Sequence, residues 1–350
     1  MTKIISKKYL NRKFWKNKTI LLTGINGFIG GNLAKILIEY DAKVIGLTNT
    51  NKKNKFLEYE KIYSKLKIYN VDIKNYSKID NILKKHTIDI CFHLAAQVDV
   101  NVANDNPFQT FETNIRGTYN LLEILRHHKS IKSIIVASSD KAYGDYNIKD
   151  LPYTENHDLR PSFPYDVSKA SADMIAKSYS TNIFNLPIIV TRFANIYGPG
   201  QLNFTALIPD VILNILGYRN FIPRSNGLHT RDFLYVDDVS YLYMCLAYNL
   251  FKDKRLSGEV FNAGTDKAYK IKDIIFKICK ISNNSALINK IKKDFLNKKP
   301  SGEILHQSMS YKKLNNYFDW KPTFSMDDGI FTTIKWYKAF LKKYNYKNFL

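Results

Sequence analysis

The stretch TILLTGINGFIG, residues 19–30, decides the fold of this chain. Residues 19–23 are β-branched and apolar, glycines follow at three-residue spacing, and apolar residues recur with helical spacing over Asn32–Tyr40. A strand, a glycine turn and a helix in this order form a dinucleotide fingerprint, because glycines let the backbone approach a pyrophosphate at the N-terminus of the helix. The stretch therefore predicts a dinucleotide cofactor, with contacts from Gly24, Gly27, Phe28, Ile29 and Gly30.

Strand and helix patterns alternate beyond this turn. Further strands are predicted at Lys43–Leu47, Leu66–Tyr69, Ile88–Leu94, Lys132–Ala137 and Leu186–Arg192, and further helices at Ser77–Lys85, Pro107–His128 and Pro164–Ser180. This alternation indicates an α/β fold with a doubly wound parallel sheet, the Rossmann architecture. After Arg192 it gives way to loops with glycine and proline. We therefore predict a dinucleotide-binding domain at 1–193, on which 236–262 packs back, and a smaller α/β substrate-binding domain at 194–350.

The composition limits the partners and the compartment. Lysine and arginine number 53 against 31 acidic residues, a net charge of +22 that favours anionic partners. The basic residues are scattered, without an arginine-rich arm, so nucleic acid is not predicted as a partner. No apolar run reaches the roughly 18 residues of a transmembrane helix, and the three cysteines form no CxxC pair. We expect a cytoplasmic protein that binds no membrane, with the Lys- and Asn-rich stretches 51–55 and 291–299 as exposed loops.

The end of the second strand bears on which dinucleotide is bound. NAD sites usually have an acidic residue there for the ribose hydroxyls, whereas residues 47–55 read LTNTNKKNK. One interpretation is NADP, with a lysine on the 2′-phosphate; the other is NAD, held by Thr48 or Asn49. NAD is the cofactor predicted here, and NADP stays open. Asp72, after the third strand, either binds the adenine amino group or starts the next helix.

A polar cluster, SDK at residues 139–141, follows the predicted strand Lys132–Ala137. Downstream, Tyr165 and Lys169 are four residues apart, which places both side chains on one face of a helix. A lysine cation and a positively charged nicotinamide lower the pKa of a phenol and make it a base toward a sugar hydroxyl. These residues therefore predict oxidoreductase chemistry at the end of the fifth strand.

With the glycine turn upstream, this cluster resembles the extended short-chain dehydrogenase/reductase family, and the resemblance covers nearly the whole chain. Within that family the sequence is most similar to sugar-nucleotide 4,6-dehydratases, particularly CDP-glucose 4,6-dehydratases. The segments that carry the resemblance are FWKNK (14–18), HLAAQ (93–97), NIRGT (114–118), SDK (139–141), PYDVSK (164–169), RFANIYG (192–198), LIPD (207–210) and RDFLYVDD (231–238). The Asp-Lys pair is typical of CDP-glucose and inverting UDP-N-acetylglucosamine dehydratases. The glycine turn differs from the GHTGFKG of CDP-glucose enzymes, so the nucleotide stays open.

The resemblance implies roles in three acts: oxidation at the 4-hydroxyl, loss of water across carbons 5 and 6, and return of the hydride to carbon 6. Tyr165 takes the 4-hydroxyl proton, Lys169 holds the cofactor ribose and Ser139 hydrogen-bonds the forming ketone. Asp140 is assigned as the acid for the departing 6-hydroxyl and Lys141 as the base, or proton relay, at carbon 5. The alternative is that the last two form a plain ion pair at the end of a strand.

The remaining predicted contacts fall into two groups. Those to the cofactor, beyond the glycine turn, are Asp72, Ile73, Leu94, Ala95, Ala96, Asn114, Tyr165 and Lys169. Those to the nucleotide-sugar substrate are Gln97, Asn195, Asn203, Arg224 and Arg231. Guanidinium forks such as those of the two arginines match phosphate oxygens, and the resemblance implies substrate contacts at Asn195 and Arg231. His93 is expected to be packed and hydrogen-bonded, and no cluster has metal-ligand spacing.

Two further expectations concern assembly and reaction type. The helices at 107–128 and 165–180 pair subunits in many relatives, so a homodimer or a higher homo-oligomer is expected. The competing enzyme is a sugar-nucleotide epimerase or reductase that oxidises without elimination, and a catalytically idle dinucleotide-binding protein is a non-enzyme alternative.

Overall fold

The computed structural model describes residues 7–296, 298–299 and 304–344. Its strands are β1 (Thr19–Thr23), β2 (Lys43–Thr48), β3 (Lys67–Asn70), β4 (Ile90–His93), β5 (Ser133–Ala137), β6 (Ile188–Phe193), β7 (Asn195–Tyr197), β8 (Thr230–Arg231), β9 (Phe233–Tyr235), β10 (Val260–Ala263) and β11 (Tyr269–Lys270). Seven of these strands form one parallel sheet in the order β10-β6-β5-β4-β1-β2-β3. The predicted doubly wound α/β fold is confirmed. The strand order reverses beside β1, and ligands bind at this switch point in open α/β sheets.

Helices cover both faces of the sheet. All the described α-helices, including those of a second core, are α1 (Arg12–Lys16), α2 (Phe28–Glu39), α3 (Lys55–Tyr59), α4 (Tyr76–Leu83), α5 (Val100–Asp105), α6 (Pro107–Phe111), α7 (Gly117–Arg126), α8 (Pro164–Tyr179), α9 (Leu207–Ile215), α10 (Val236–Lys252), α11 (Ile271–Ile281), α12 (Ala286–Leu296), α13 (Lys312–Phe318) and α14 (Met326–Lys343). On one face α2 and α10 share a core with β1, and on the other α4, α7 and α8 pack over β4 and β5. None of the described helices is long and apolar enough to cross a membrane.

The predicted helix at Pro107–His128 is interrupted. A π-helical turn, Glu112–Arg116, separates α6 from α7. Such a turn inserts an extra residue and often occurs at functional sites. Here it holds Asn114, whose side chain is buried. The predicted long helix is therefore present over 107–126, with a π-helical turn at its centre that its sequence pattern does not indicate.

A second core lies after β6. The strand β7 pairs in parallel with β9, β8 pairs antiparallel with β11, and α9, α11, α12 and α14 pack together around Val211, Ile274 and Tyr337. Residues 291–296 belong to α12, so the predicted exposed loop at 291–299 is wrong there: Ile291 and Phe295 face this core. The chain returns to the main sheet through α10 and β10. The domain boundary near residue 193 stays a prediction.

Candidate active site

The glycine turn is shaped to let another molecule approach the backbone. Gly24 has a φ of +71°, and a Cβ there would lie 2.9 Å from the backbone of Ala95. A Cβ on Gly30 would overlap the carbonyl oxygen of Gly24. Gly27 is the N-cap of α2 and has no capping side chain, so the first N–H groups of that helix are free to bind an anion. This cradle fits the pyrophosphate of a dinucleotide.

The Gly30→Ala variant is expected to lose dinucleotide binding and about 3 kcal/mol of unfolding free energy, because the added methyl group meets backbone that cannot yield. Thermal unfolding and titration with NAD measure both effects. Gly217→Ala is the matched control: its φ is +78° and its Cβ would meet nothing within 4 Å, so only about 1 kcal/mol is expected. NAD binding by Gly30→Ala at the wild-type affinity would contradict this account of the turn.

A cavity of about 880 Å³ extends from the glycine turn along the carboxyl ends of the strands. It gathers side chains from both halves of the chain. The predicted site residues in its wall are Gly24, Gly27, Phe28, Ile29, Gly30, Asp72, Ile73, Leu94, Ala95, Ala96, Ser139, Asp140, Lys141, Tyr165, Lys169, Asn195, Asn203 and Arg231. The sequence therefore located the cavity, although the roles of these residues stay predictions.

Asn114 and Gln97 do not lie in this wall. The Asn114 side chain accepts a hydrogen bond from the Gln97 N–H at 2.7 Å and donates one to the Gln97 carbonyl at 2.9 Å. It also donates to the Ser168 hydroxyl at 2.8 Å. The Gln97 side chain donates to Thr110 and to the backbone of Asp99. The described polar contacts of both side chains are therefore made inside the protein, and the predicted cofactor contact of Asn114 and substrate contact of Gln97 stay predictions. Both residues brace the loop after β4 from behind.

The far end of the cavity is lined by Thr48, Asn49 and Thr50. Two of the lysines that follow contact other parts of the protein. Lys55 forms an ion pair with Glu58 at 2.9 Å, and the Lys53 ammonium lies 5.5 Å from the centre of the Tyr63 ring. No lysine from this loop is among the described lining residues. The wall therefore offers hydroxyl and amide groups, without a cation for a 2′-phosphate.

His93 and Asp72, two polar residues near the strand ends, both form hydrogen bonds within the protein. His93 is buried, and its ring nitrogens pair with Thr23 at 2.9 Å and Thr118 at 3.0 Å, which confirms a packed histidine. Burial and then Lys169 lower the pKa of His93 to about 3. Asp72 accepts a bond from the Lys74 N–H within the loop. It does not start the next helix, since Asn75 caps α4.

Tyr165 and Lys169 lie on α8 and face the cavity. The Lys169 ammonium donates to the carbonyl of Ala137, and burial lowers its pKa to about 8. Burial and then the charge of Asp140 raise the pKa of Tyr165, opposed by its hydrogen bond with Ser139. The expected lowering of the phenol pKa by the lysine and a bound nicotinamide together stays a prediction, since this structure shows the site without the cofactor. In that state Tyr165 is a neutral phenol.

The SDK cluster forms a short 3₁₀ helix, Asp140–Tyr143. Ser139 caps it by accepting from the Lys141 N–H at 3.3 Å, and its hydroxyl donates to Asp140 Oδ1 at 2.9 Å. Asp140 is buried, and its Oδ2 has no hydrogen-bond partner among the residues that the structure describes. Burial raises the pKa of Asp140, opposed by Lys141. The cavity wall therefore contains a buried carboxyl group with a raised pKa, one oxygen of which has no partner among the described residues.

A second cavity of about 300 Å³ adjoins the first. Asn195 and Arg231 line both cavities. Asn195 donates to the backbone of Asp232 at 3.3 Å, and Arg231 to that of Thr230 at 2.9 Å. Arg224 lines only the smaller cavity, where it donates to the Thr205 carbonyl at 2.8 Å. An extended ligand can therefore span both cavities past a shared arginine.

Sequence reasoning missed much of the smaller cavity. Asp210, which forms an ion pair with Arg219 at 2.6 Å, lines it together with Phe221, His229 and Phe295. These residues come from four separate segments between 207 and 295. Only Asp210 had a signal, as the last residue of the LIPD segment, and no role followed from it.

Comparison with known proteins agrees with this geometry. A family model described as GDP-mannose 4,6 dehydratase matches residues 21–333. The chain belongs to the GDP-mannose 4,6 dehydratase family. It is 31% identical to the dTDP-D-glucose 4,6-dehydratase of Dictyostelium discoideum, over 91% of this chain and 81% of that protein. It is also 28% identical to the CDP-paratose 2-epimerase of Salmonella typhi, over 91% of this chain and 98% of that protein.

Solved structures give the same result. The dTDP-glucose 4,6-dehydratase of Bacillus anthracis, crystallised with NAD, superposes with a TM-score of 0.78 at 28% identity, over 92% of this chain and 97% of that one. The resemblance to nucleotide-sugar 4,6-dehydratases is confirmed, and the NAD in that structure agrees with the predicted cofactor. Because the family includes an epimerase as well as dehydratases, membership alone leaves the step after oxidation open.

Proposed function

We propose that this chain is an NAD-dependent nucleotide-sugar 4,6-dehydratase. The observation that carries the proposal is Asp140: a buried carboxyl group with a raised pKa, one oxygen without a partner among the described residues, and a place in the cavity wall beside Lys141 and Tyr165. A protonated carboxyl can give its proton to a leaving hydroxyl. Oxidation and reduction alone would not need such a group next to the phenol.

Two pairs of residues divide the chemistry. The oxidation pair is Tyr165 and Lys169, and the elimination pair is Asp140 and Lys141. Tyr165 accepts the proton of the 4-hydroxyl, and Ser139 donates a hydrogen bond to the oxygen of the forming ketone. The ketone acidifies the proton on carbon 5, which Lys141 removes while Asp140 protonates the departing 6-hydroxyl. The two events together remove one water molecule.

NAD, when bound, supplies the hydride acceptor for carbon 4 and the donor for carbon 6. The glycine turn and α2 hold its pyrophosphate, and Thr48 or Asn49 holds the adenosine ribose. Lys169 holds the other ribose and places a positive charge near the Tyr165 hydroxyl. That charge assists ionisation of a phenol whose pKa burial has raised.

The nucleotide sugar is proposed to lie across both cavities. Its hexose would occupy the large cavity at the elimination pair, and its diphosphate would pass Arg231 into the small one. CDP-glucose is the first substrate to test, because the Asp-Lys pair is typical of CDP-glucose dehydratases. Matched proteins named for dTDP-glucose make that nucleotide the second.

The experiment incubates the protein and NAD with CDP-, dTDP-, UDP- and GDP-glucose, GDP-mannose and UDP-N-acetylglucosamine, and follows the base-induced absorbance of 4-keto products. Mass spectrometry then separates a product that has lost water from an epimer of unchanged mass. The proposal predicts loss of water with one of these sugars. An epimer, or no reaction across the panel, would overturn it, and an epimer would establish the competing enzyme.

NADP is expected to bind at least about 10-fold more weakly than NAD, because the wall beside Thr48 has no lysine for the 2′-phosphate among its described residues. Calorimetric titration with both cofactors tests this expectation. Lys52→Ala is the informative variant, since its effect on the affinity for either cofactor should be within error. NADP binding as tight as NAD binding, and weakened by that variant, would refute the expectation.

A homodimer is proposed to form through α6 and α8. Phe108 on α6 is 73% exposed and Met174 on α8 is 63% exposed, so each helix presents an apolar side chain that a second copy could cover. The double variant Phe108→Glu/Met174→Glu is expected to shift the mass measured by light scattering from dimer to monomer. Ile148→Glu, a 66% exposed residue on another segment, is the control that should not. A wild-type monomer would end this proposal.

A further inference from the structure

A buried ion pair lies behind the large cavity. Arg192 on β6 donates to both carboxylate oxygens of Asp173 on α8, at 2.7 and 2.9 Å. Both side chains are buried, and neither is among the described lining residues of the cavity. Because a bidentate pair fixes orientation as well as distance, Arg192 locks α8 against the central sheet.

The same guanidinium reaches the 3₁₀ helix of the elimination pair. Its Nη1 donates to the Tyr143 hydroxyl at 2.9 Å, and that hydroxyl donates to Oδ1 of Asn262 at 2.8 Å. The guanidinium carbon also lies 4.9 Å from the centre of the Tyr143 ring. Tyr143 is the last residue of this helix. The position of the elimination pair is therefore tied to Arg192.

Asn262 on β10 extends the connection to the far edge of the sheet. Its N–H donates to Glu155 at 2.7 Å and its amide to the Tyr153 carbonyl at 3.1 Å. The Tyr143 ring stacks on that of Tyr153, with centres 4.9 Å apart and planes 13° apart. The rear network, defined as Asp173, Arg192, Tyr143 and Asn262, thus supports the 3₁₀ helix from β6 and β10 at once.

On its other side the network meets the oxidation pair. Tyr165, Lys169 and Asp173 recur at four-residue spacing on α8, so they lie along one face of that helix. Arg192 is thereby joined to the helix that performs oxidation and, through Tyr143, to the helix that performs elimination.

We propose that the rear network is a positioning device: it holds the elimination pair in register with the oxidation pair, so that the ketone formed at carbon 4 is already placed for loss of water at carbons 5 and 6. The inference rests on the proposed dehydratase function. Misplacement of a catalytic group by about 1 Å can cost on the order of 10²-fold in rate. Disturbing the network should therefore slow elimination more than oxidation.

The test uses Tyr143→Phe in the full-length protein with NAD and the substrate found in the panel. The variant removes one hydroxyl and leaves the ring to stack on Tyr153. Acid quenching followed by mass spectrometry separates the 4-keto sugar that still carries its 6-hydroxyl from the 4-keto-6-deoxy product. We expect product formation to fall by about 10-fold and the unreacted 4-keto sugar to accumulate.

Tyr146→Phe is the matched control. Its hydroxyl donates to the Asp158 carbonyl at 3.1 Å and not to a residue of the rear network, while its ring, which the variant keeps, packs on Tyr153. Arg192→Lys is the second variant, which keeps the charge beside Asp173 and loses the fork. Thermal unfolding of each variant tells whether it folds.

Equal slowing of oxidation and elimination in the folded variants, or no slowing, would overturn the inference, since a purely structural network would give that result. Failure of the function itself is separate: in that case the wild-type protein forms no 4-keto-6-deoxy product from any sugar of the panel.

Discussion

The Lys141→Met variant is expected to lose formation of the 4-keto-6-deoxy product by on the order of 10²–10⁴-fold, the usual contribution of a general base. Methionine keeps most of the apolar stem of lysine and cannot accept a proton. Oxidation at carbon 4 should persist, because the oxidation pair is intact. The measurement is mass spectrometry of quenched reactions, in which the 4-keto sugar with its 6-hydroxyl should replace the product.

Lys149→Met is the control for this variant. Lys149 is an exposed lysine in the next short helix, outside the described wall of the cavity. Its rate should equal that of the wild-type protein. If Lys141→Met also turned over at the wild-type rate, Asp140 and Lys141 would be the plain ion pair at a strand end, and the proposed elimination would have to use other groups.

The Tyr165→Phe variant is expected to stop the reaction one step earlier. Removal of the hydroxyl leaves no acceptor for the 4-hydroxyl proton, so neither form of 4-keto sugar should appear, with a loss of at least about 10²-fold in rate. The ring still fills its place on α8, and NAD should still bind. Quenched mass spectra and an NAD titration test both parts.

Tyr179→Phe, on the last turn of the same helix, is the matched control. Its hydroxyl donates to Glu123 at 3.1 Å, away from the large cavity. The step at which each variant stops matters as much as the loss of rate: Lys141→Met should stop after oxidation, and Tyr165→Phe before it. Accumulation of a 4-keto sugar by Tyr165→Phe would contradict its role as the oxidising base.

The parts of the fold and site that the sequence predicted are those with local signals. Glycine spacing in residues 24–30 reflects backbone geometry that only glycine satisfies, and strands such as β5 follow from short apolar runs. The cluster at 139–141 and the Tyr165–Lys169 spacing likewise depend on one strand end and one helix face. Parallel strands bring their carboxyl ends to one edge of the sheet. The residues in the wall of the large cavity could therefore be predicted from the sequence.

Two helical features were not predicted from the sequence. The interrupted helix around Asn114 is set by its bonds to Gln97 and Ser168, which a helical pattern does not reveal. The helix at 286–296 was missed because its lysines and asparagines suggested a loop, although Ile288, Ile291 and Phe295 recur at helical spacing.

The electrostatics of the protein without cofactor also could not be predicted from the sequence. Sequence spacing places Lys169 near Tyr165 and suggests a lowered phenol pKa, but the spacing does not report burial. In the structure burial dominates, and it raises the pKa of Tyr165 while it lowers that of Lys169 to about 8. The smaller cavity could not be predicted either, because Asp210 and Phe295 are far apart in the sequence and come together only in the folded chain.

The most direct test of the proposed reaction follows one hydrogen atom. The substrate is a nucleotide sugar with deuterium at carbon 4, incubated with the protein and NAD, and the product is read by NMR and mass spectrometry. The account predicts a 4-keto-6-deoxy sugar that has lost water and carries the deuterium at carbon 6. An epimer that keeps its 6-hydroxyl and its deuterium at carbon 4 would contradict it.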